Sequence, residues 1–335
     1  MHKNFKLNLE NILPADLVKR LRQAKCIDTH SVLTASDAKF RKYDFSPSEV
    51  RLIRSTVSKF VITQCEPITN AELMDTNFGK WKRIRVGCRA VDEILNNGIS
   101  NVGITEICGE SGSGKSQICL QLAVTVQLPE HLGGLGRGAV YISTEDSVPT
   151  SRTVEIANYF RNRYGSEVAH INFSDNIYID EVYTEKELLQ CVTNRLPFLL
   201  NHSKIGLIVI DSVGAIFRIS CNYIKRAEQM RDLCQTLLRL SEKHRCAVVC
   251  VNQVSSFVNS RTSTSSDDQL IPCLGLAWAN LVNTRLQVHR TNKTLTQNTQ
   301  VTSQPIRKIR VLFAPDLKHG SAEFIITSNG VSDIV

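Results

Sequence analysis

The arrangement in this chain that points most directly to chemistry is a run of eight residues, 109–116, which read GESGSGKS. They match the pattern G-x-x-x-x-G-K-[ST] of loops that hold nucleotide phosphates. Glycines let such a loop turn its backbone N–H groups towards an anion, and the following helix adds the positive end of its dipole. We expect Lys115 to reach the β- and γ-phosphates of ATP and the Ser116 hydroxyl to hold Mg²⁺. The expected nucleotide contacts are Gly109, Glu110, Ser111, Gly112, Ser113, Gly114, Lys115, Ser116 and Gln117.

The segments on either side of this loop have the patterns that a phosphate-binding loop needs. Residues 102–108 are mostly apolar and predict a buried strand. Residues 117–126 place Ile118, Leu122 and Val126 at helical spacing. The predicted order of strand, glycine loop and helix therefore favours nucleotide binding over a chance glycine-rich turn.

Two carboxylates follow apolar strands further along the chain. Residues 207–210 are all apolar and are followed by Asp211, whose carboxylate is expected near the Mg²⁺ ion. Glu145 closes another strand, and a carboxylate there could orient or deprotonate an attacking water. A helix-capping role is the alternative for Glu145, and Asp146 competes with it for the catalytic role.

An amide closes a third apolar strand. Gln253 follows residues 247–251, so it is expected at the same edge of the sheet as the two carboxylates. There its side chain could hydrogen-bond the γ-phosphate and report the nucleotide state to the following loop. By itself, Gln253 would be read as an ordinary loop amide.

The pattern of the chain after residue 86 predicts an α/β fold. Helices are predicted at 185–200 and 225–244, apolar strands at 139–143, 206–210 and 247–251, and a further strand at 176–182. Such an alternation indicates a mainly parallel sheet with helices on both faces. Near the end, the segments 284–288, 309–313 and 324–327 predict antiparallel β-hairpins at the C-terminal edge of this sheet.

The start of the chain has a different pattern. Residues 1–60 show short helical segments and no strand alternation, and residues 46–49 have the form of a capping box before apolar residues at helical spacing. The residues that follow lose this periodicity and end in a basic cluster at 80–85. We therefore predict a small all-helical domain over 1–62, a linker over 63–82 and a P-loop ATPase core over 83–335.

Composition and charge limit the possible classes of protein. The formal net charge is +8, and residues 1–60 contain twelve Lys and Arg against six Asp and Glu, 12 − 6 = +6. This asymmetry indicates contact with a polyanion such as nucleic acid, or else a solvated helical surface. No apolar run reaches the roughly 18 residues that a membrane span needs, so no membrane partner is expected. The N-terminus also lacks the apolar stretch of a signal peptide.

The cysteines favour a reducing compartment. Eleven are present, with no C-x-x-C pair and no Cys/His spacing typical of a metal site. Several lie inside apolar segments, where a free cysteine packs as a small hydrophobe. Cytosol or nucleus is therefore favoured over a secreted location.

Taken together, these residues resemble those of the RecA recombinase family in its eukaryotic branch. The shared markers are residues 109–116, 141–146, 207–212 and 251–254, and the predicted helical domain and linker also fit this branch. The resemblance covers nearly the whole chain. It implies a RecA-type paralogue that binds ATP and Mg²⁺ and assists homologous-recombination repair of double-strand breaks and damaged replication forks. It also implies a heterodimer with another paralogue, contacts with single-stranded and branched DNA and with the main recombinase filament, and a place in the nucleus and also the cytoplasm.

The resemblance assigns a role to each candidate site residue. It implies that Lys115 and Ser116 contact ATP and Mg²⁺ and that Asp211 is the carboxylate of the metal site. It implies further that Glu145 activates water and that Gln253 senses the γ-phosphate. The predicted activity is that of a slow DNA-dependent ATPase.

The resemblance also indicates where partners bind. The loops after the Asp211 and Gln253 strands face single-stranded DNA in the family's filaments, and we expect Arg218, Lys225 and Arg226 to contact its phosphates. Recombinases carry a Phe-x-x-Ala motif in the linker that docks on the next protomer. Here Ile68 and Ala71 occupy the two motif positions and are the predicted partner contacts.

Three segments depart from the family pattern. The first DNA loop, 220–226, contains no glycine, and the second has Leu274-Gly275 in place of a glycine pair. The segment 313–315 reads Phe-Ala-Pro and lacks the acid that precedes Ser-Pro in caps on a neighbour's ATP. These departures argue against autonomous strand exchange and against capping of a neighbour's nucleotide. The alternatives left open are an autonomous recombinase, a small-molecule phosphotransferase with 255–269 as its lid, and a nucleotide-bound scaffold without turnover.

Overall fold

The computed structural model describes residues 9–64, 81–145, 147–218, 223–256, 270–296 and 303–334. The chain divides into two compact units, Met1–Thr76 and Asn77–Val335. The first unit is helical in its described residues, and the second contains a large sheet. In the described part of the chain, no helix has the length and apolar character needed to cross a membrane.

The first unit consists of short helices around one small core. Its elements are a 3₁₀ turn at Leu9–Asn11, α1 at Ala15–Gln23, α2 at Thr29–Thr34, α3 at Asp37–Lys42 and α4 at Pro47–Gln64. The predicted capping box begins α4, because the Ser46 hydroxyl accepts from the Glu49 N–H and the Glu49 carboxylate accepts from the Ser46 N–H at 2.6 Å. Glu49 also binds Arg20 of α1 at 2.8 Å, which joins α1 to α4.

The second unit is built on a ten-stranded sheet. Its strands are β3 Ile104–Gly109, β4 Gly138–Ser143, β5 Ile177–Glu181, β6 Ile205–Asp211, β7 Ala247–Ser256, β8 Leu270–Pro272, β9 Thr284–Thr296, β10 Ser303–Phe313, β11 Ser321–Thr327 and β12 Gly330–Ser332. The order is β12-β11-β10-β9-β3-β7-β6-β4-β5, with β8 paired to β7. Pairing is parallel from β9 to β5 and antiparallel from β9 to β12. A separate pair, β1 Arg83–Ile84 and β2 Ile99–Ser100, lies outside this sheet.

Helices pack on both faces of the sheet. They are α5 Arg89–Ile94, α6 Lys115–Thr125, α7 Thr150–Tyr164, α8 Glu185–Gln190, α9 Leu196–His202, α10 Val213–Arg218, α11 Tyr223–His244 and α12 Gly275–Ala279. Alternate residues of β4 show the two layers, since Ala139 and Tyr141 belong to the apolar cluster with α6 and α7. Val140 and Ile142 belong to the cluster with α8, α9 and α11. The predicted α/β fold with an antiparallel C-terminal edge is therefore confirmed.

The structure differs from the sequence-based expectation at one helix and at one strand. The helix predicted over 185–200 consists of α8, a π-helical turn at Cys191–Arg195 and α9, and Pro197, which has no N–H to donate, lies at the start of α9. Strand β7 does not end before Gln253 but continues to Ser256. The reason is tertiary, because β8 pairs with residues 254–256 and extends the strand.

The cysteines of the described residues are all free. Eight of these nine thiols are buried, and Cys273 is partly exposed. Cys119 and Cys250 are fully buried in the core, and burial raises the pKa of both thiols well above the usual value. As predicted, such cysteines pack as small hydrophobes.

Candidate nucleotide-binding site

The glycine loop joins the central strand β3 to helix α6. Strand β3 lies between β7 and β9, with parallel pairing to both, so the loop leaves the carboxyl edge of the sheet near its middle. Gly112 and Gly114 have φ of +71° and +111°, a region that favours glycine. A Cβ atom on Gly114 would lie 2.7 Å from Cδ1 of Ile326, so a side chain at this position would have to displace Ile326. The loop therefore has the conformation and the close packing expected of a phosphate-binding loop.

Lys115 begins α6, and its side chain is buried against the backbone of the glycine loop. Its ammonium donates to the carbonyl oxygens of Gly109 at 2.9 Å and Glu110 at 2.7 Å. Burial lowers the pKa of Lys115, and the carboxylates of Asp211 and Glu145 oppose that shift. Inside the loop, the buried hydroxyl of Ser113 has no hydrogen-bond partner among the described residues. A buried cation beside an unsatisfied hydroxyl fits the phosphates of a nucleotide.

Asp211 lies at the end of β6 and faces the first turn of α6. The Tyr141 hydroxyl donates to its Oδ2 at 2.5 Å. Burial raises the pKa of Asp211, while hydrogen bonds from Tyr141 and Ser116 lower it. Since Mg²⁺ prefers oxygen ligands, the hydroxyl of Ser116 and the carboxylate of Asp211 fit a magnesium site.

The predicted catalytic acid and the predicted sensor are in direct contact. Oε1 of Glu145 accepts from the Ser212 hydroxyl at 2.7 Å and from the side-chain amide of Gln253 at 3.0 Å. The amide oxygen of Gln253 in turn accepts from Arg218 at 2.7 Å. The structure thus brings Arg218, an expected DNA contact, into the candidate site, whereas Asp146 lies outside the described residues.

Residues 80–334 match the model of the Rad51 family. The chain belongs to the Rad51 family. The resemblance to the eukaryotic branch of the RecA recombinases is thereby confirmed. The fold agrees with this membership, because the phosphate loop, Asp211, Glu145 and Gln253 lie at the carboxyl ends of neighbouring parallel strands.

Curated relatives share this Rad51-family region. The chain is 38% identical over 264 residues to DNA repair protein XRCC3 of Mus musculus, covering 75% of this chain and 75% of that protein. It is 34% identical over 288 residues to DNA repair protein rhp57 of Schizosaccharomyces pombe, covering 75% and 79%. It is 31% identical over 282 residues to the DNA repair protein XRCC3 homolog of Arabidopsis thaliana, covering 75% and 92%.

A buried polar network lies directly beneath the Rad51-family site. Glu106 of β3 is fully buried, and its Oε1 accepts from Asn252 at 2.7 Å and from the Trp278 indole at 3.0 Å. Its other oxygen pairs with Arg285 of β9. Asn252 also accepts the backbone N–H of Gln253 at 2.8 Å, so the network holds the strand that carries Gln253. The signal in the sequence that could have found it is a carboxylate within a mostly apolar strand.

Two arginines from distant segments of the chain, which no motif in the sequence indicates, also line the nucleotide cavity. It has a volume of about 510 Å³ and is lined by Gly112, Gly114, Lys115, Ser116, Gln117, Arg152, Arg307, Ile326 and Thr327. The Arg152 guanidinium is held by the Gln117 side chain at 2.8 Å and by the backbone carbonyl of Ser328 at 2.9 Å. Since Arg152 and Arg307 come from α7 and β10, no local motif connects them with the loop.

Of the remaining predicted DNA and partner contacts, only some lie within the described residues. Lys225 and Arg226 lie in the first turn of α11, and the Arg226 guanidinium lies 4.8 Å from the centre of the Tyr223 ring. Ile68 and Ala71 lie outside the described residues, as do residues 219–222 and 257–269 of the two predicted DNA loops. The roles of these residues in binding DNA and partners stay predictions.

Proposed function

We propose that this chain binds Mg·ATP and hydrolyses it slowly as a subunit of a complex that repairs DNA by homologous recombination. The observation that supports this most directly is the convergence of Lys115, Asp211, Glu145 and Gln253 at the carboxyl edge of four neighbouring strands. Each of these groups has the charge and hydrogen-bonding capacity that phosphoryl transfer to water requires.

Each residue has a distinct task in the proposed reaction. Lys115 would exchange its two loop carbonyls for the β- and γ-phosphate oxygens. Ser116 and Asp211 would hold Mg²⁺, whose charge offsets the negative charge of the phosphates. Glu145 would take a proton from the attacking water.

The contact between Glu145 and Gln253 supports slow turnover. Oε1 of Glu145 already accepts two hydrogen bonds, from Ser212 and from Gln253. The amide of Gln253 is thus held at both ends, by Glu145 and by Arg218, and these contacts must break before Gln253 can move to a γ-phosphate. We infer that Gln253 leaves Glu145 when it contacts the γ-phosphate, which makes hydrolysis depend on the positions of Gln253 and Arg218.

A role in DNA repair is supported by the relatives and by charge. All three relatives named above carry the name of a DNA repair protein, which also supports a nuclear location. We propose that Arg218, Lys225 and Arg226 contact DNA phosphates, with the basic helical unit adding to the binding. Arg218 ends α10 just before the first predicted DNA loop, and Lys225 and Arg226 form the end of that loop, in the first turn of α11.

Assembly with a second Rad51-family chain is the remaining part of the proposal. The linker residues Ile68 and Ala71 would add a short strand to the edge of a partner's sheet. In this chain β5 ends the sheet order, and its outer edge pairs with no described strand. Tyr178 and Ile179 of β5 are 37% and 43% exposed, so this edge offers both backbone groups and apolar surface to a partner.

The experiment that tests this function is calorimetric titration of Mg·ATP into the wild type and Lys115→Ala. We expect binding by the wild type and loss of binding in a folded Lys115→Ala, because one buried ammonium faces the phosphates. Lys225→Ala is the matched control, since it removes an equal charge from a predicted DNA contact and should keep ATP affinity. Unchanged affinity in folded Lys115→Ala would contradict the proposed nucleotide site.

A further inference from the structure

Two arginines face each other across the hairpin that lies beside the phosphate loop. Arg290 of β9 and Arg307 of β10 are direct partners in the antiparallel register. The Arg290 guanidinium donates to the Gly112 carbonyl at 3.1 Å. A Cβ atom on Gly114 would lie 3.2 Å from Cδ of Arg307, so both side chains pack against the loop. We call these two residues the arginine pair.

The charges of the arginine pair are not neutralised by described residues. Arg307 donates to the Pro305 carbonyl at 3.2 Å, while its buried Nε has no hydrogen-bond partner among the described residues. Burial lowers the pKa of Arg307, and the charge of Arg290 lowers it further. Like charges directly opposite each other destabilise a pair of strands. The arginine pair therefore costs stability in the absence of an anion.

Several other arginines of this unit form ion pairs with carboxylates. Arg285 pairs with buried Glu106, Arg152 with Glu155, and Arg83 with Asp316. Three cations line the nucleotide cavity, Lys115, Arg152 and Arg307, and of these only Arg152 pairs with a described carboxylate, that of Glu155. An uncompensated charge at this position fits a ligand that carries several negative charges.

We propose that Arg307 of the arginine pair, which lines the cavity, is a second cationic contact for the nucleotide's phosphates, supplied by the β9–β10 hairpin of the same chain. A bound polyphosphate relieves the repulsion between Arg290 and Arg307, so binding both adds a contact and removes a cost. The inference rests on the proposed function, because it assigns these residues to the same ligand. Removing the charge of Arg307 should therefore stabilise the empty protein and weaken its binding of the nucleotide.

The test compares the full-length wild type with Arg307→Gln. We expect Arg307→Gln to weaken binding of ATP and ADP by about 10-fold or more, the usual effect of losing a charged hydrogen bond. Without ligand, its melting temperature should be about 2 °C higher, because the repulsion is gone. Pyrophosphate should raise the melting temperature of the wild type more than that of the variant, which assigns the contact to phosphates and not to the base.

Three further measurements separate this inference from a purely structural role. Lys308→Gln removes a neighbouring charge that lies opposite Glu323, and it should leave nucleotide affinity unchanged. Arg307→Lys keeps the charge, so it should retain more affinity and gain no stability. About 1 M salt, which reduces the Debye length to about 3 Å, should raise the unliganded melting temperature of the wild type more than that of Arg307→Gln.

The outcomes that overturn the inference are distinct from failure of the proposed function. Wild-type affinity in Arg307→Gln, a lower unliganded melting temperature, or a variant that does not fold would each refute the role of the arginine pair. Absence of ATP binding by the wild type would refute the nucleotide site itself, and the inference with it. Loss of ATP binding in Lys115→Ala but not in Arg307→Gln would refute the arginine pair alone.

Discussion

The side-chain amide of Gln253 donates to Oε1 of Glu145 across 3.0 Å and joins the carboxyl ends of β7 and β4. Arg218 holds the opposite end of the same amide, at 2.7 Å. Because β6 lies between β7 and β4 in the sheet, this contact crosses over the end of the strand that carries Asp211. A movement of Gln253 would therefore remove a hydrogen bond from Glu145, the proposed catalytic acid.

Glu145 should be needed for ATP turnover and not for ATP binding. Glu145→Gln should keep ATP affinity and slow DNA-stimulated phosphate release by about 100-fold or more, since an amide holds the geometry but accepts no proton. Calorimetry and single-turnover phosphate release measure the two effects. Asp146→Asn is the control. If Asp146→Asn slowed phosphate release and Glu145→Gln did not, the catalytic acid would be Asp146 and not Glu145.

DNA binding should be electrostatic. Lys225→Gln and Arg226→Gln should each weaken binding to a single-stranded oligonucleotide, and each should reduce the salt dependence by about one phosphate contact. Fluorescence anisotropy over a range of salt concentrations, with and without a Rad51-family partner, measures this. Lys186→Gln, an exposed charge on α8, should have little effect. Affinity that does not change with salt would remove nucleic acid from the proposed function.

Assembly should depend on the linker. Ile68→Glu combined with Ala71→Glu should abolish co-purification with a Rad51-family partner and leave the melting temperature of the isolated chain unchanged. Burial of an isoleucine is worth roughly 1.5–3 kcal/mol, or about one to two orders of magnitude in affinity. Thr76→Glu combined with Asn77→Glu is the control, because it adds the same two charges to the chain outside the motif. A large loss of melting temperature with the complex retained would instead show that Ile68 packs within its own chain.

The buried network should be a source of stability. Trp278→Phe removes one of two described donors to Oε1 of Glu106, and the free energy of unfolding should fall by about 1–3 kcal/mol. Denaturant unfolding followed by circular dichroism measures this change. Trp81→Phe is the matched control, since Trp81 is 59% exposed and its replacement should cost less than about 0.5 kcal/mol. Equal effects of the two substitutions would show that the indole hydrogen bond contributes nothing.

The helical unit should lose stability in acid through Glu49. The hydrogen bond from Arg20, followed by those from Ser46, lowers the pKa of Glu49 from 4.5 to about 2. A lowered pKa stabilises the folded state above the unfolded value, and this stabilisation is lost as the pH falls from 4.5 towards 2. Glu49→Gln should therefore lower the melting temperature of the helical unit at neutral pH. The difference in melting temperature between the variant and the wild type should shrink as the pH falls from 4.5 towards 2. Thermal circular dichroism between pH 2 and 7 measures it, and a difference that does not change with pH would contradict this role.

Local patterns in the sequence determined the parts of this protein that depend on neighbouring residues. The loop at 109–116, the helix start at Ser46 and the alternation of apolar strands with helices could all be predicted. Each arises from hydrogen bonds or side-chain periodicity within a few residues. The parallel strands then brought Asp211, Glu145 and Gln253 to one edge, as expected for strands that share a direction.

Contacts between distant segments were decided only by the tertiary structure. Arg290 and Arg307 lie beside the phosphate loop because β9 pairs with β3 and β10 follows it in the sheet. Arg285, 179 residues from Glu106, neutralises that buried carboxylate for the same reason. A sequence motif records spacing along the chain, whereas strand order depends on how the whole sheet buries its apolar faces. That order brings Arg307 of the hairpin into the lining of the nucleotide cavity.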